Sequence, residues 1–109
     1  MADIIALMTN TYVISDVTTA SQQATLVAGD IPLPNWLIDN SLGTTPVFVT
    51  SGITSTTAVY PTSATVPLAG KVIPAGLKEN YQKSPLHGYI AAIRESGTAD
   101  VVISVGAGE

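Results

Sequence analysis

The sequence predicts an all-β fold, a two-sheet sandwich or jelly-roll-like arrangement, formed as a single domain by residues 1–109. Apolar and polar residues alternate with a period of two, Val, Ile and Thr are abundant, and Gly or Pro recurs at short intervals. No apolar stripe with helical spacing persists for three turns. About ten short strands separated by turns are typical of a sandwich rather than a closed ligand barrel.

The strand predictions follow these alternating segments in chain order. They cover residues 4–8, 11–15, 24–28, 36–39, 46–51, 56–60, 64–67, 71–73, 89–95 and 100–105. Pro32 and Pro34 cannot donate backbone hydrogen bonds, so residues 30–35 belong at a sheet edge or in a crossing loop. The apolar residues directly after this segment, beginning with Trp36, are either an ordinary entry into the core or an exposed anchor on a neighbouring subunit.

Two later segments carry more specific predictions. Residues 77–83 are the most helix-like, because Leu77 and Tyr81 are four positions apart, but the segment is short enough to be a single turn or an extended loop. Residues 89–94 and 100–105 flank a turn whose Gly97 tolerates positive φ, which predicts a terminal hairpin. Val101, Ile103 and Val105 share one face of its second strand and should face the core.

Composition excludes several classes of function. The formal net charge is −4, and the four basic residues are dispersed over the second half, so no basic patch for nucleic acid is expected. The apolar runs are far shorter than the ~20 residues that span a bilayer, and the N-terminus lacks the cationic start of a secretion signal. The absence of cysteine agrees with synthesis in a cytoplasm. We therefore expect neither nucleic acid nor membrane as a partner.

Catalytic and metal-binding patterns are equally scarce. His87 is the only histidine, and no G-x-S-x-G elbow accompanies it, so we interpret it as an ordinary loop residue. One histidine and no cysteine cannot supply a typical zinc site, and the Asp residues are too widely spaced for a calcium loop. No phosphate-binding glycine loop is present. The sequence predicts a protein that is not an enzyme and needs no cofactor.

The most informative feature is a run of 31 residues, 40–70, without a charged side chain. Soluble domains normally place charges on exposed faces and strand edges to prevent unwanted pairing. We therefore expect this region to be covered by partners. The predicted interaction residues are Ile31, Leu33, Trp36, Val47, Val49, Thr56, Val59 and Tyr60.

Four segments carry a resemblance to a known class of proteins: 40–49 (NSLGTTPVFV), 72–76 (VIPAG), 90–99 (IAAIRESGTA) and 105–109 (VGAGE). Together they resemble small tailed-bacteriophage virion proteins, which are short β-sandwich proteins encoded with the head genes. The resemblance implies a capsid decoration, or cement, protein that binds the outer capsid surface and bridges subunits of the major capsid protein. It also implies synthesis in the host bacterial cytoplasm and a homo-oligomer. Residues 30–38 depart from this pattern.

Two alternatives stay open at this stage. The first is another virion part, such as a head-tail adaptor, fibre or spike component. The second is a carbohydrate-binding β-sandwich module, which would need at least two exposed coplanar aromatic rings, with Trp36 and Tyr60 the first to examine.

Overall fold

The computed structural model describes residues 10–62 and 69–105, and these form eight β-strands and no helix. The strands are β1 (Thr11–Val17), β2 (Gln22–Thr25), β3 (Asn35–Asp39), β4 (Val47–Gly52), β5 (Lys71–Ile73), β6 (Lys78–Gln82), β7 (Tyr89–Arg94) and β8 (Ala99–Val105). The predicted strands at residues 4–8 and 64–67 lie outside the described residues. The all-β prediction is confirmed.

The strands form two antiparallel sheets of four strands each. The first sheet has the order β1-β8-β3-β6 and the second has the order β2-β7-β4-β5. Pairing joins β1 with β8, β2 with β7, β3 with β6 and β4 with β5, so the chain resembles one long hairpin. Rolling that hairpin up adds the β3–β8 and β4–β7 pairs. This connectivity is that of an eight-stranded jelly roll, a two-sheet sandwich.

The core lies between the two sheets and is filled mainly by aliphatic side chains. The first sheet contributes Ile14, Trp36, Ile38, Val101 and Ile103, and the second contributes Val47, Val49, Ile73, Ile90 and Ala92. The indole nitrogen of Trp36 stays hydrogen-bonded there by donating to the carbonyl oxygen of Leu33 at 2.7 Å. Period-two alternation along each strand is what brings these residues onto the inner faces.

The predicted terminal hairpin is wrong in its pairing. β7 lies in the second sheet and β8 in the first, so residues 95–98 connect the two sheets. The turn chemistry itself holds, because Gly97 has a φ of 77°. Both strands carry an apolar inner face. The same pattern fits two strands that pair in one sheet and two strands that face each other across the core. Val101 and Ile103 face the core as predicted, and Val105 packs against it.

Two further segments differ from expectation. Residues 78–82 form β6 rather than a helix or loop, because they pair with β3 at five consecutive positions. Residues 56–60 do not form a strand. Side chains of neighbouring residues bond their backbone instead, with Gln23 Oε1 accepting from the Thr56 N–H and Ser21 Oγ accepting from the Ala58 N–H. Local pattern could not reveal these side-chain partners.

Candidate interaction surface

Three of the predicted interaction residues lie in the core. Trp36, Val47 and Val49 are each 0% exposed. Their side chains are covered by the chain itself, so they offer no contact area to a partner while the fold is intact. The reading of the Trp36 segment as an ordinary entry into the core is therefore correct, and the reading of it as an exposed anchor is wrong.

Ile31 and Leu33 occupy the loop between β2 and β3 and are half-buried. Ile31 packs against the core, and the backbone of Leu33 is held by a bond from its N–H to the Asp30 carbonyl oxygen at 3.0 Å. The loop crosses from the second sheet to the first. This position matches the crossing-loop prediction and leaves only part of each side chain accessible.

Residues Thr56, Val59 and Tyr60 belong to a segment that covers the outer face of the second sheet. Tyr60 packs with Ala58 on the buried ring of Phe48. Thr56 is half-buried, and Val59 is 48% exposed. Part of the uncharged run is thus covered by its own neighbours in the chain, whereas Leu42 and Ile53 stay about two-thirds exposed at 65% and 64%.

The outer face of the first sheet carries a different uncharged surface that sequence reasoning missed. We call it the uncharged face. It consists of Thr11, Val13, Asn35, Leu37, Asn80, Gln82, Val102 and Ser104. Each of these residues alternates with an inward-facing neighbour along its strand. Thr11, Val13, Asn80 and Gln82 are exposed, with Val13 at 54%, and the other four are partly buried.

The charges of this sheet face lie together at one end. Lys78 Nζ lies 3.9 Å from Asp39 Oδ2, and Asp100 is close by on β8. The Ser41 side chain, the largest cause, lowers the pKa of Asp39 by hydrogen bonding to its carboxylate, and the Ser41 N–H and nearby Lys78 lower it further. The rest of the face combines three aliphatic side chains with hydroxyls and amides. Depletion of charge with retained hydrogen-bonding groups is typical of the centre of a protein–protein interface.

The uncharged face escaped prediction because it is assembled from four strands distant in sequence. The alternation of residues in β1 and β8 can be seen in the sequence, and it predicts that Val102 and Ser104 face outward. The neighbouring residues of β3 and β6 depend on strand order. The whole surface could be predicted only from the jelly-roll strand order together with the residue register of each strand pair in the first sheet.

A polar cleft of about 660 Å³ opens where β5 and β6 meet. Ser51 Oγ lies 2.7 Å from His87 Nδ1 and 2.8 Å from the Tyr81 hydroxyl at its floor. Lys71 Nζ forms an ion pair with Glu79 at 3.1 Å and donates to the Asn80 carbonyl oxygen. Of the residues described, no carboxylate lines the cleft, so the imidazole lacks the orienting group of a catalytic triad there.

The two aromatic residues named for a carbohydrate platform do not form an exposed pair of rings. Trp36 is fully buried and its ring is tilted by 53° against that of Tyr12, with centroids 5.9 Å apart. Tyr60 rests on Phe48. The platform prediction is wrong for these two residues. Within residues 10–62 and 69–105 no group of three or more His, Cys, Asp or Glu side chains is placed to hold a metal ion.

The comparisons with known proteins found no matching family model, no similar curated protein and no similar solved structure. In the described part of the chain, no helix is long and apolar enough to cross a membrane.

Proposed function

We propose that this protein is a structural component of a bacteriophage virion that binds the outside of the capsid and stabilises it by bridging subunits of the major capsid protein. The observation that carries the proposal is the uncharged face of the first sheet. A free-standing domain commonly places charge on an exposed sheet, whereas an interface loses charged groups because desolvating them is costly.

The chemistry of the uncharged face suits repeated docking on a shell. Val13, Leu37 and Val102 supply apolar area, and the hydroxyls and amides around them keep hydrogen bonds when water is removed. A rigid sheet presents these groups with little ordering cost on binding. Many copies on one particle then add their contributions, so modest affinity per copy suffices.

The internal placement of cations supports the same proposal. Arg94 is 1% exposed and Lys83 is 3% exposed, so two of the four basic residues are withdrawn from the surface. Both donate to uncharged oxygens of the chain. The surface is thereby poorer in charge than the sequence alone implies, which fits a protein that binds through area and shape.

The test is addition of purified protein to capsids that lack it, followed by sedimentation and by thermal disruption of the particles. We expect binding and a higher disruption temperature. Ser104→Lys places a cation in the middle of the uncharged face and should abolish co-sedimentation, whereas Val72→Lys, on the second sheet, should not. Loss of binding in both variants, or in neither, would contradict the assignment of the face.

Copy number separates this proposal from the other virion roles. A decoration protein is present at hundreds of copies per particle, whereas an adaptor is present at about a dozen because it sits at one vertex or on the tail axis. Quantitative mass spectrometry of purified virions measures this directly. A count near a dozen would favour the adaptor.

A further inference from the structure

The two sheets expose four edge strands, and three of them are short or protected. β5 has three residues, and its Lys71 is paired with Glu79 of β6, which itself also carries Lys78. β2 has four residues, and the segment 55–58 is held beside it by Ser21 and Gln23. Short length, charged side chains and covering segments are the usual means of preventing edge-to-edge pairing.

β1 is the exception among the described edges. It has seven residues, pairs with β8 alone among the strands of residues 10–62 and 69–105, and carries no charged side chain from Thr11 to Ser15. Val13 stands on this edge with 54% of its surface exposed. Its one irregularity is a register shift between Ile14 and Val17, where Asp16 has a φ of 51°. The unpaired backbone groups of an edge strand are a template for another strand.

We propose that β1 pairs with β1 of a second copy of this chain. The two strands are antiparallel and are related by a twofold axis that passes between the two Val13 residues. In that register Val13 lies opposite its own counterpart, and Thr11 of each copy lies opposite Ser15 of the other. The outer faces of the two copies stay on the same side of the joined sheet, because residues directly opposite each other on paired strands point to the same face. A valine pair flanked by two hydroxyl pairs is a favourable set of cross-strand contacts.

Pairing with a second copy in this register keeps the acidic residues of β1 apart. Each molecule has a net charge of −4, so two copies repel unless the contact excludes their acids. The twofold axis separates the two Asp16 residues by six strand positions, or about 20 Å. That distance exceeds the screening length of about 8 Å at physiological ionic strength. The acidic residue of β1 therefore does not oppose its counterpart.

The consequence is an eight-stranded sheet whose two uncharged faces are continuous. Val102 lies beside Val13 within each copy, so an apolar row would run from Val102 through both Val13 side chains to the second Val102. This inference does not rest on capsid binding. The oligomeric state is measured on purified protein alone, so its failure and that of the capsid proposal are distinguishable.

Site-directed disulfide formation tests the register, because the chain contains no cysteine. Cross-strand neighbours have Cβ atoms about 4.5–5.5 Å apart, close enough for a disulfide after a small adjustment. In full-length protein with Val13→Cys, mild oxidation should give a covalent dimer. It should form at least about tenfold faster than in Val72→Cys, a valine that is 40% exposed on the edge strand β5, because pairing raises the effective thiol concentration.

Sedimentation velocity over a range of protein concentrations provides the second measurement. The unmodified chain should show a concentration-dependent dimer, Val13→Lys should dissociate at least tenfold more readily, and Val72→Lys should match the unmodified chain. Circular dichroism checks that each variant is folded. A chain that stays monomeric, or equal crosslinking of the two cysteine variants, would overturn the proposal.

Discussion

Arg94 Nη1 donates a 2.9 Å hydrogen bond to Asn40 Oδ1, and both side chains are buried at one end of the sandwich. The guanidinium also donates to the carbonyl oxygens of Val17, Thr45 and Ala99. Asn40 Nδ2 in turn donates to the carbonyl oxygens of Thr45, Ile73 and Pro74. These two residues therefore join β1, β5, β8 and the β3–β4 loop.

Arg94→Met should lower the free energy of unfolding by about 3 kcal/mol or more, because each buried acceptor left without a donor costs about 1–3 kcal/mol. Methionine fills similar space but leaves several buried carbonyl oxygens without a donor. Urea denaturation measures the change. Lys78→Met, at an exposed cation, should change stability by less than about 0.5 kcal/mol. Equal effects of the two substitutions would contradict the bridging role.

Gly43→Ala should disturb the same network by a steric route. A Cβ at this position would overlap Arg94 Nη1 and Asn40 Oδ1. We expect a loss of about 1–3 kcal/mol, the usual cost of overpacking. Gly29→Ala is the matched control, because nothing lies within 4 Å of its added Cβ.

The Gly43 effect should shrink in the Arg94→Met background, since the flexible methionine can move away. A double-mutant cycle measures this coupling, expected at 0.5 kcal/mol or more in magnitude for residues in contact. Additive losses would show that Gly43→Ala acts elsewhere.

The sequence sufficed for the fold class because alternation is a local property. Val101 and Ile103 could be assigned to the core from their spacing alone. Strand pairing could not be assigned in that way. The segments around Gly97 have the pattern of a hairpin, yet β7 and β8 occupy different sheets, because β7 pairs with β2 and β4 whereas β8 pairs with β1 and β3.

The uncharged run from Asn40 to Gly70 shows a second limit. Its lack of charge predicts coverage by a partner, whereas the packing of Phe48 beneath Ala58 and Tyr60 explains part of it within one chain. Burial by the chain itself and burial by a neighbour produce the same composition. They differ only in three dimensions, where Val47 lies inside and Val13 outside.

Lys83 should make stability depend on pH at the alkaline end. The residue is 3% exposed, and its ammonium group donates to the carbonyl oxygens of Ile31 and Ser84. Burial lowers the pKa of Lys83 below its ordinary 10.5. Between the folded pKa and 10.5 the unfolded chain holds more protons, so this group's contribution to the free energy of unfolding rises with pH.

Denaturation of the unmodified protein and of Lys83→Met from pH 7 to pH 10.5 checks this. The free energy of unfolding of the unmodified protein should rise relative to that of Lys83→Met as pH approaches 10.5. The contributions of titrating groups that both proteins share cancel in this difference. Lys78→Met controls for the loss of a cation at an exposed site. Parallel pH profiles for the unmodified protein and Lys83→Met would contradict the prediction.

Ile103→Ala should lower the free energy of unfolding by about 2–5 kcal/mol, because its side chain is 0% exposed between the sheets. Ser104→Ala, the next residue on the opposite face of β8, is the control and should change stability by less than about 0.5 kcal/mol. Equilibrium denaturation compares them. An unchanged stability for Ile103→Ala would mean that the two faces of β8 have been interchanged.

His87→Ala removes the acceptor or donor that faces Ser51 Oγ at 2.7 Å, a part-buried contact that Tyr81 also shares. We expect a stability loss of about 0.5–1.5 kcal/mol, the net value of one such hydrogen bond. Binding to capsids and the gain in particle stability should stay nearly unchanged, because His87 is not part of the uncharged face. The cleft shares only Asn35, Asn80 and Gln82 with that face and does not include the part formed by β1 and β8. Loss of capsid binding by this variant, with the fold intact by circular dichroism, would move the docking site from the sheet to the cleft.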